Sequence, residues 1–114
     1  MNRLQISEVD PLTPEMFNEL MEIKGETKFI ECSIFMINLD LEVKNIFRFA
    51  DLHMENKGNL TLELCDYTNL GHEKHQHFLS ELENIRKIRQ EQNIATCSIK
   101  FDFHINFQQT FLKI

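Results

Sequence analysis

The strongest structural signal in the chain is a strict alternation of apolar and polar side chains over residues 96–107. The apolar positions are Cys97, Ile99, Phe101, Phe103, Ile105 and Phe107, and the polar positions are Ser98, Lys100, Asp102, His104 and Asn106. Because successive side chains of a β-strand point to opposite faces, this pattern predicts one long strand with a buried face and a solvated face. Such a strand needs neighbouring strands and a second layer on its apolar side, so the chain must contain a sheet.

Two segments carry helix signals. Apolar side chains that recur at spacings of three and four predict a long helix over residues 72–92. A shorter helix is expected over residues 14–24, because Thr13 is a suitable N-cap and Pro14 suits the first helical position.

The segment between these helices is rich in strand patterns. Residues 29–37 are apolar on both alternating faces, which is typical of a buried strand. Residues 38–44 alternate more strictly, and they either extend this strand or are divided from the next one by a bend near Asn45. Further strands are predicted over residues 46–54 and 59–66, with a hairpin turn at residues 55–59.

The order of elements is therefore helix, three or four strands, long helix, strand. Short connections between the strands favour antiparallel pairing. We expect an α+β fold in which a mostly antiparallel sheet of four to five strands is covered by a short N-terminal helix and one long helix. A length of 114 residues fits a single domain over residues 1–114.

Composition narrows the compartment and the partners. The start of the chain has no apolar run like that of a signal peptide, and no stretch approaches the ~20 apolar residues of a membrane span. Three distant cysteines, Cys32, Cys65 and Cys97, do not form a disulfide framework, so we expect a reducing, cytoplasmic compartment. The net charge of −6 disfavours nucleic acid as a partner, and we expect neither a nucleic-acid nor a membrane interaction.

One cluster has the residue types of a metal site. It consists of Cys65, His72, His75 and His77, whose thiolate and imidazole groups suit zinc. The spacing is unfavourable, because His72 and His75 are neighbours on a helix while His77 points elsewhere. We therefore expect no metal or other cofactor, and this cluster is the place to look if there is one.

A second constellation resembles nuclease chemistry only superficially. Asp40, Glu42 and Lys44 are predicted to share one strand face, and carboxylates with a lysine can hold Mg²⁺ beside a nucleophile. A solvated strand face explains the same residues without a site. Since the sequence has neither a glycine-framed serine nor a phosphate-binding glycine loop, we expect no catalytic residues and no enzymatic activity.

The first helix is the most acidic part of the sequence. Glu15, Glu19 and Glu22 recur at spacings of four and three and form one ridge, with Glu26 following them. Like charges at this spacing do not stabilise the helix itself. A solvated helix face is the simpler explanation, and a docking surface for a basic partner is the functional one.

Small size, acidity and the missing catalytic residues favour a non-enzymatic binding protein. We expect an inhibitor or immunity-type protein that masks a basic partner such as a bacterial nuclease toxin, with Glu15, Glu19, Glu22 and Glu26 at the contact. Two alternatives stay open. One is a metal-binding enzyme or sensor that uses Cys65 and the three histidines, and the other is a structural module that forms homo-oligomers.

Overall fold

A computed structural model describes residues 3–6, 13–22 and 28–114 of the chain. The elements in order are β1 (Arg3–Ile6), α1 (Pro14–Met21), β2 (Phe29–Asn38), α2 (Val43–His53), β3 (Met54–Asp66), α3 (Gly71–Glu91), β4 (Ser98–Ile105) and β5 (Gln108–Lys113). None of the helices in these ranges combines the length and the apolar character needed to cross a bilayer.

The five strands form one sheet in the order β1-β2-β3-β4-β5. The first four strands are parallel to one another, and β5 pairs antiparallel with β4. The α+β class is confirmed, but the prediction of a mostly antiparallel sheet is wrong. A helix connects each pair of consecutive parallel strands. Such a crossover brings the chain back to the end of the sheet at which the previous strand began, so the next strand runs in the same direction.

The missed element is α2, which was predicted as a strand over residues 46–54. Its buried side chains Val43, Ile46, Phe47 and Ala50 have the spacing of one helical face. The alternation that precedes it also ends in a turn, because the side-chain Oδ1 of Asn38 accepts a hydrogen bond of 2.8 Å from the backbone of Asp40.

The predicted hairpin turn at residues 55–59 is also wrong, because β3 begins at Met54 and runs through this segment. Gly58 does not adopt the positive φ that a turn would require. A Cβ atom at Gly58 would lie 2.8 Å from the carbonyl oxygen of Ile30, so this glycine allows β2 to approach β3 closely.

The parallel strands follow one another across the sheet in chain order, and because such crossovers are right-handed, all three helices lie in one layer on the same face. α1 packs on α2, and α2 packs on α3. From α3, the ring of Phe78 packs edge-on against Phe101 and Phe103 of β4, with centroids 5.9 and 5.6 Å apart. No helix in the described part of the chain covers the opposite face, where the polar positions of β3, β4 and β5 lie.

The predicted strand over residues 96–107 is confirmed for β4, whose apolar positions are buried. Phe107 is the exception, because it belongs to the two-residue turn between β4 and β5 and is 93% exposed. Asn106 and Phe107 have φ values of 49° and 67°, which is the pattern of a type I′ turn.

The backbone of Phe107 leads to a test of this turn. A glycine adopts positive φ without steric cost, whereas alanine keeps the Cβ atom. We expect Phe107→Gly to be more stable than Phe107→Ala by about 1 kcal/mol, which reverses the usual order of these two residues in a strand or helix. Urea unfolding of both variants measures the difference, and an alanine variant as stable as the glycine one would contradict the turn type.

Candidate functional site

The acidic ridge predicted from the sequence lies on α1 and on Glu22, which occupies the turn directly after the helix. Thr13 caps this helix, since its side-chain oxygen accepts a hydrogen bond of 3.2 Å from the backbone of Met16. Glu15, Glu19 and Glu22 are exposed to solvent. The fourth predicted contact residue, Glu26, lies outside the described residues.

The ridge lies beside the first turn of α2. Asn18 of α1 accepts a hydrogen bond of 3.1 Å from the side chain of Asn45 in α2. Glu15 is three residues before Asn18 and shares its side of the helix, and Glu22 lies in the turn four residues after Asn18. The acidic ridge therefore adjoins the start of α2.

On the other side of this turn lies a groove of about 790 Å³ between the start of α2 and the first half of α3. Its floor and walls are apolar, formed by Leu39, Leu41, Leu70, Phe78 and Ile85. Its charged and polar side chains are Asp40, Glu42, Lys44, Glu73, Lys74, His77, Glu81 and Asn84. Four carboxylates against two ammonium groups leave the groove acidic, and its volume is in the range of ligand-binding clefts.

Asp40, Glu42 and Lys44 are not on one strand face as predicted. Asp40 lies in the turn after β2, Glu42 precedes the first residue of α2, and Lys44 belongs to its first turn. The structure does bring them to one wall of the groove, but they are already paired: Lys44 contacts Glu42 at 3.1 Å, and Lys74 contacts Asp40 at 2.9 Å.

The buried carboxylate of Asp66 at the end of β3 holds Lys74, which lines the groove. Its Oδ1 accepts hydrogen bonds of 2.8 and 2.6 Å from the backbone and the hydroxyl of Thr68, and its Oδ2 lies 3.3 Å from Lys74 Nζ. Burial alone would raise the pKa of Asp66, but these hydrogen bonds and the lysine outweigh it and hold the pKa below its ordinary value. The same contacts fix Lys74 on α3, since it also reaches Asp40.

The structure does not bring Cys65, His72, His75 and His77 together. Cys65 is buried on the sheet, where it is the register partner of His104. On α3, His72 is exposed, His75 packs its ring on Phe103 with centroids 4.4 Å apart, and His77 contacts Glu81 at 3.0 Å.

The environment of Cys65 also makes it a poor ligand, and the packing of His75 keeps it from a shared site. Burial, followed by the charges of Glu63 and Asp66, raises the pKa of the Cys65 thiol, which disfavours the thiolate that binds zinc. Burial and the neighbouring His72 lower the pKa of His75, so its imidazole stays neutral and its position, not its protonation, argues against a ligand role. His75 is packed against a phenyl ring rather than directed at another ligand.

The described residues do contain one convergent group that sequence analysis missed: Glu63, Asp102 and His104. They lie on the face of the sheet that no described helix covers. The alternation of β4 does indicate that Asp102 and His104 share a polar face. It does not indicate that Glu63 of another strand lies beside them, because this depends on the register of β3 against β4.

Comparison with models of protein families, with curated proteins and with solved structures finds no match for this chain.

Proposed function

We propose that this chain is a non-enzymatic protein-binding module of the inhibitor or immunity type, which docks a basic partner on its helical face. The observation that carries the proposal is the acidic groove between α2 and α3, together with the acidic ridge of α1 beside it. A nuclease toxin is the kind of partner that this charge fits, because proteins that bind nucleic acid present clustered lysines and arginines to the phosphates.

The shape of the groove supports a helical or extended segment of the partner. Grooves with an apolar floor bind amphipathic helices, whose apolar side lies in the groove while the polar side faces its rim. Here the floor is formed by leucines and Phe78, and the rim carries Glu42, Glu73 and Glu81. A partner segment with one apolar side and one basic side fits both the apolar floor and the acidic rim of the groove.

The charges inside the groove favour a cation over an anion. Both lysines are engaged by carboxylates: Lys44 by Glu42, and Lys74 by Asp40 and Asp66. An incoming anion would have to compete with these pairs, whereas an incoming lysine or arginine meets the net negative charge of a groove with four carboxylates and two ammonium groups. The exposed ridge on α1 extends the same field, and complementary fields speed association and select the partner.

Charge reversal of the ridge tests this proposal. The tag-free chain is used to capture a partner from cells of its source, and the purified partner is then assayed by surface plasmon resonance at low and high salt. We expect Glu15→Lys/Glu19→Lys/Glu22→Lys to lower the association rate about ten-fold or more at low salt. A second variant, Glu73→Lys/Glu81→Lys, is expected to accelerate dissociation because it changes the groove itself.

The matched control is Glu55→Lys/Glu83→Lys/Glu91→Lys. It reverses three exposed carboxylates outside the ridge and the groove and changes the net charge by the same amount as the ridge variant. Equal effects of the control and ridge variants would contradict a localised docking surface. A captured partner without excess basic charge would contradict the proposed partner class, and a basic partner without nuclease activity would contradict only the toxin assignment.

A further inference from the structure

The uncovered face of the sheet brings three potential ligand groups together. Glu63 of β3 and Asp102 of β4 are direct register partners, and His104 follows Asp102 on the same face of β4. His104 Nε2 lies 3.2 Å from Asp102 Oδ1 and 3.8 Å from Glu63 Oε2. One ligand atom from each residue lies within 4.8 Å of the other two.

These separations fit a shared metal ion. Imidazole nitrogen and carboxylate oxygen bind Zn²⁺ and similar ions at about 2.0–2.2 Å, so ligands at octahedral or tetrahedral angles lie roughly 3.0–3.5 Å apart. The distances from His104 to the two carboxylates lie within or just above that range. A small rotation of the Glu63 side chain, which is 22% exposed, is enough to close the larger one.

The ring nitrogen of His104 is a second, independent observation. Nε2 has almost no accessible surface and makes no hydrogen bond to another protein group, although Asp102 Oδ1 is only 3.2 Å away. A buried polar atom without a partner is costly, so the arrangement calls for an explanation. Ligands of one ion point at the ion rather than at one another, which gives short separations without hydrogen-bond alignment.

The surroundings of the cluster match the outer shell of a metal site. Gln109 of β5 donates from Nε2 to both oxygens of Asp102, at 3.0 and 3.3 Å, and so fixes the carboxylate plane. The carboxylate keeps free lone pairs, since each oxygen has two. On the same face, the ammonium of Lys100 lies over the ring of Phe111, 5.1 Å from its centroid.

We propose that Glu63, Asp102 and His104 bind one first-row divalent transition-metal ion, with Gln109 as the residue that orients Asp102. One nitrogen and two oxygen ligands suit Zn²⁺ and its neighbours better than the soft ions that thiolates select. Three protein ligands leave at least one coordination position for water, as in open zinc sites. The site lies on the opposite face of the sheet from the helical groove and does not depend on the proposed function.

Titration of the tag-free chain with ZnCl₂ tests the site. We expect one ion per chain by calorimetry. In ¹H–¹⁵N spectra of the imidazole rings, the resonances of His104 shift while those of His72 and His77 do not. This wild-type measurement decides without any variant, because an unshifted His104 ring at saturating zinc overturns the proposal.

Variants then identify the ligands. Glu63→Gln, Asp102→Asn and His104→Gln each weaken zinc binding by at least about ten-fold, since replacing an outer-shell partner alone typically costs ten-fold or more. The matched control is His77→Gln, which removes a histidine 3.0 Å from a carboxylate on α3 and leaves zinc affinity unchanged. Unchanged affinity in all three ligand variants, or an equal loss in the control, overturns the assignment.

Discussion

Truncation of Phe101 to alanine is expected to lower the free energy of unfolding by about 3–5 kcal/mol. Phe101 has no exposed surface, lies parallel to Phe103 at a centroid distance of 5.8 Å and receives the edge of Phe78 from α3. It thus joins the sheet to the helical layer at the centre of the core. The loss of stability has two sources. The variant no longer gains the free energy of burying the ring, and a cavity remains because the two layers cannot fully collapse.

The measurement is equilibrium unfolding in urea. The midpoints of wild type and variant can be compared if the free energy of unfolding depends on urea concentration with the same slope in both proteins. Phe107→Ala provides the matched control, because it removes the same ring from a position that is 93% exposed and is expected to cost less than about 1 kcal/mol. If the two substitutions had similar effects, Phe101 would not be the contact between the layers that the structure describes.

This residue also illustrates what the sequence allows one to predict. The alternation over residues 96–107 identifies the buried face of β4 correctly, because the period of two is a local property of extended backbone. The same pattern places Phe107 on the buried face, where it does not lie. Its position depends on the point at which the chain turns back, and alternation alone does not mark that point.

The predicted strand directions were wrong because one segment was assigned to the wrong type of element. Val43, Ile46 and Phe47 begin a helical pattern, but they follow Leu39 and Leu41, which continue the alternation of a strand. All five side chains are buried, so their hydrophobicity does not distinguish helix from strand. Once α2 is taken as a strand, its neighbours become antiparallel, and a single local error changes the topology of the whole sheet.

The acidic ridge and the Glu63, Asp102 and His104 cluster also differ in how far the sequence alone predicts them. Glu15 and Glu19 lie on one short helix and Glu22 lies in the turn directly after it, so their spacing alone predicts a common ridge. Glu63 and Asp102 become neighbours only because α3 crosses from β3 to β4 and its packing sets the register of the two strands. Long-range pairing of this kind follows from the packing of whole layers, and a single sequence does not reveal it.

Asp66 at the end of β3 contacts Lys74, which lines the groove. Replacement of Asp66 by asparagine is expected to have the second large effect. The charged carboxylate accepts two hydrogen bonds from Thr68 and contacts Lys74, so it holds the loop between β3 and α3. Hydrogen bonds to a charged group contribute about 1.5–3 kcal/mol, and Asp66→Asn is expected to lower the free energy of unfolding by roughly that amount at pH 7. Asp40→Asn is the control, since Asp40 contacts the same lysine from an exposed position and should contribute less than about 1 kcal/mol.

The pH dependence separates a charge effect from a packing effect at Asp66. Its pKa in the folded protein lies below the ordinary value, so the unfolded chain takes up the proton first as the pH falls. The stability contributed by the charge is therefore complete above the unfolded pKa of about 3.9 and is lost as the pH falls through the lower, folded pKa. The difference between wild type and Asp66→Asn should stay constant from pH 7 to about pH 5 and shrink below pH 4, because protonated Asp66 then resembles asparagine. A difference that persists undiminished at the lowest pH where both proteins fold would assign the loss to packing, and the ionised carboxylate would not be what holds Lys74 in the groove.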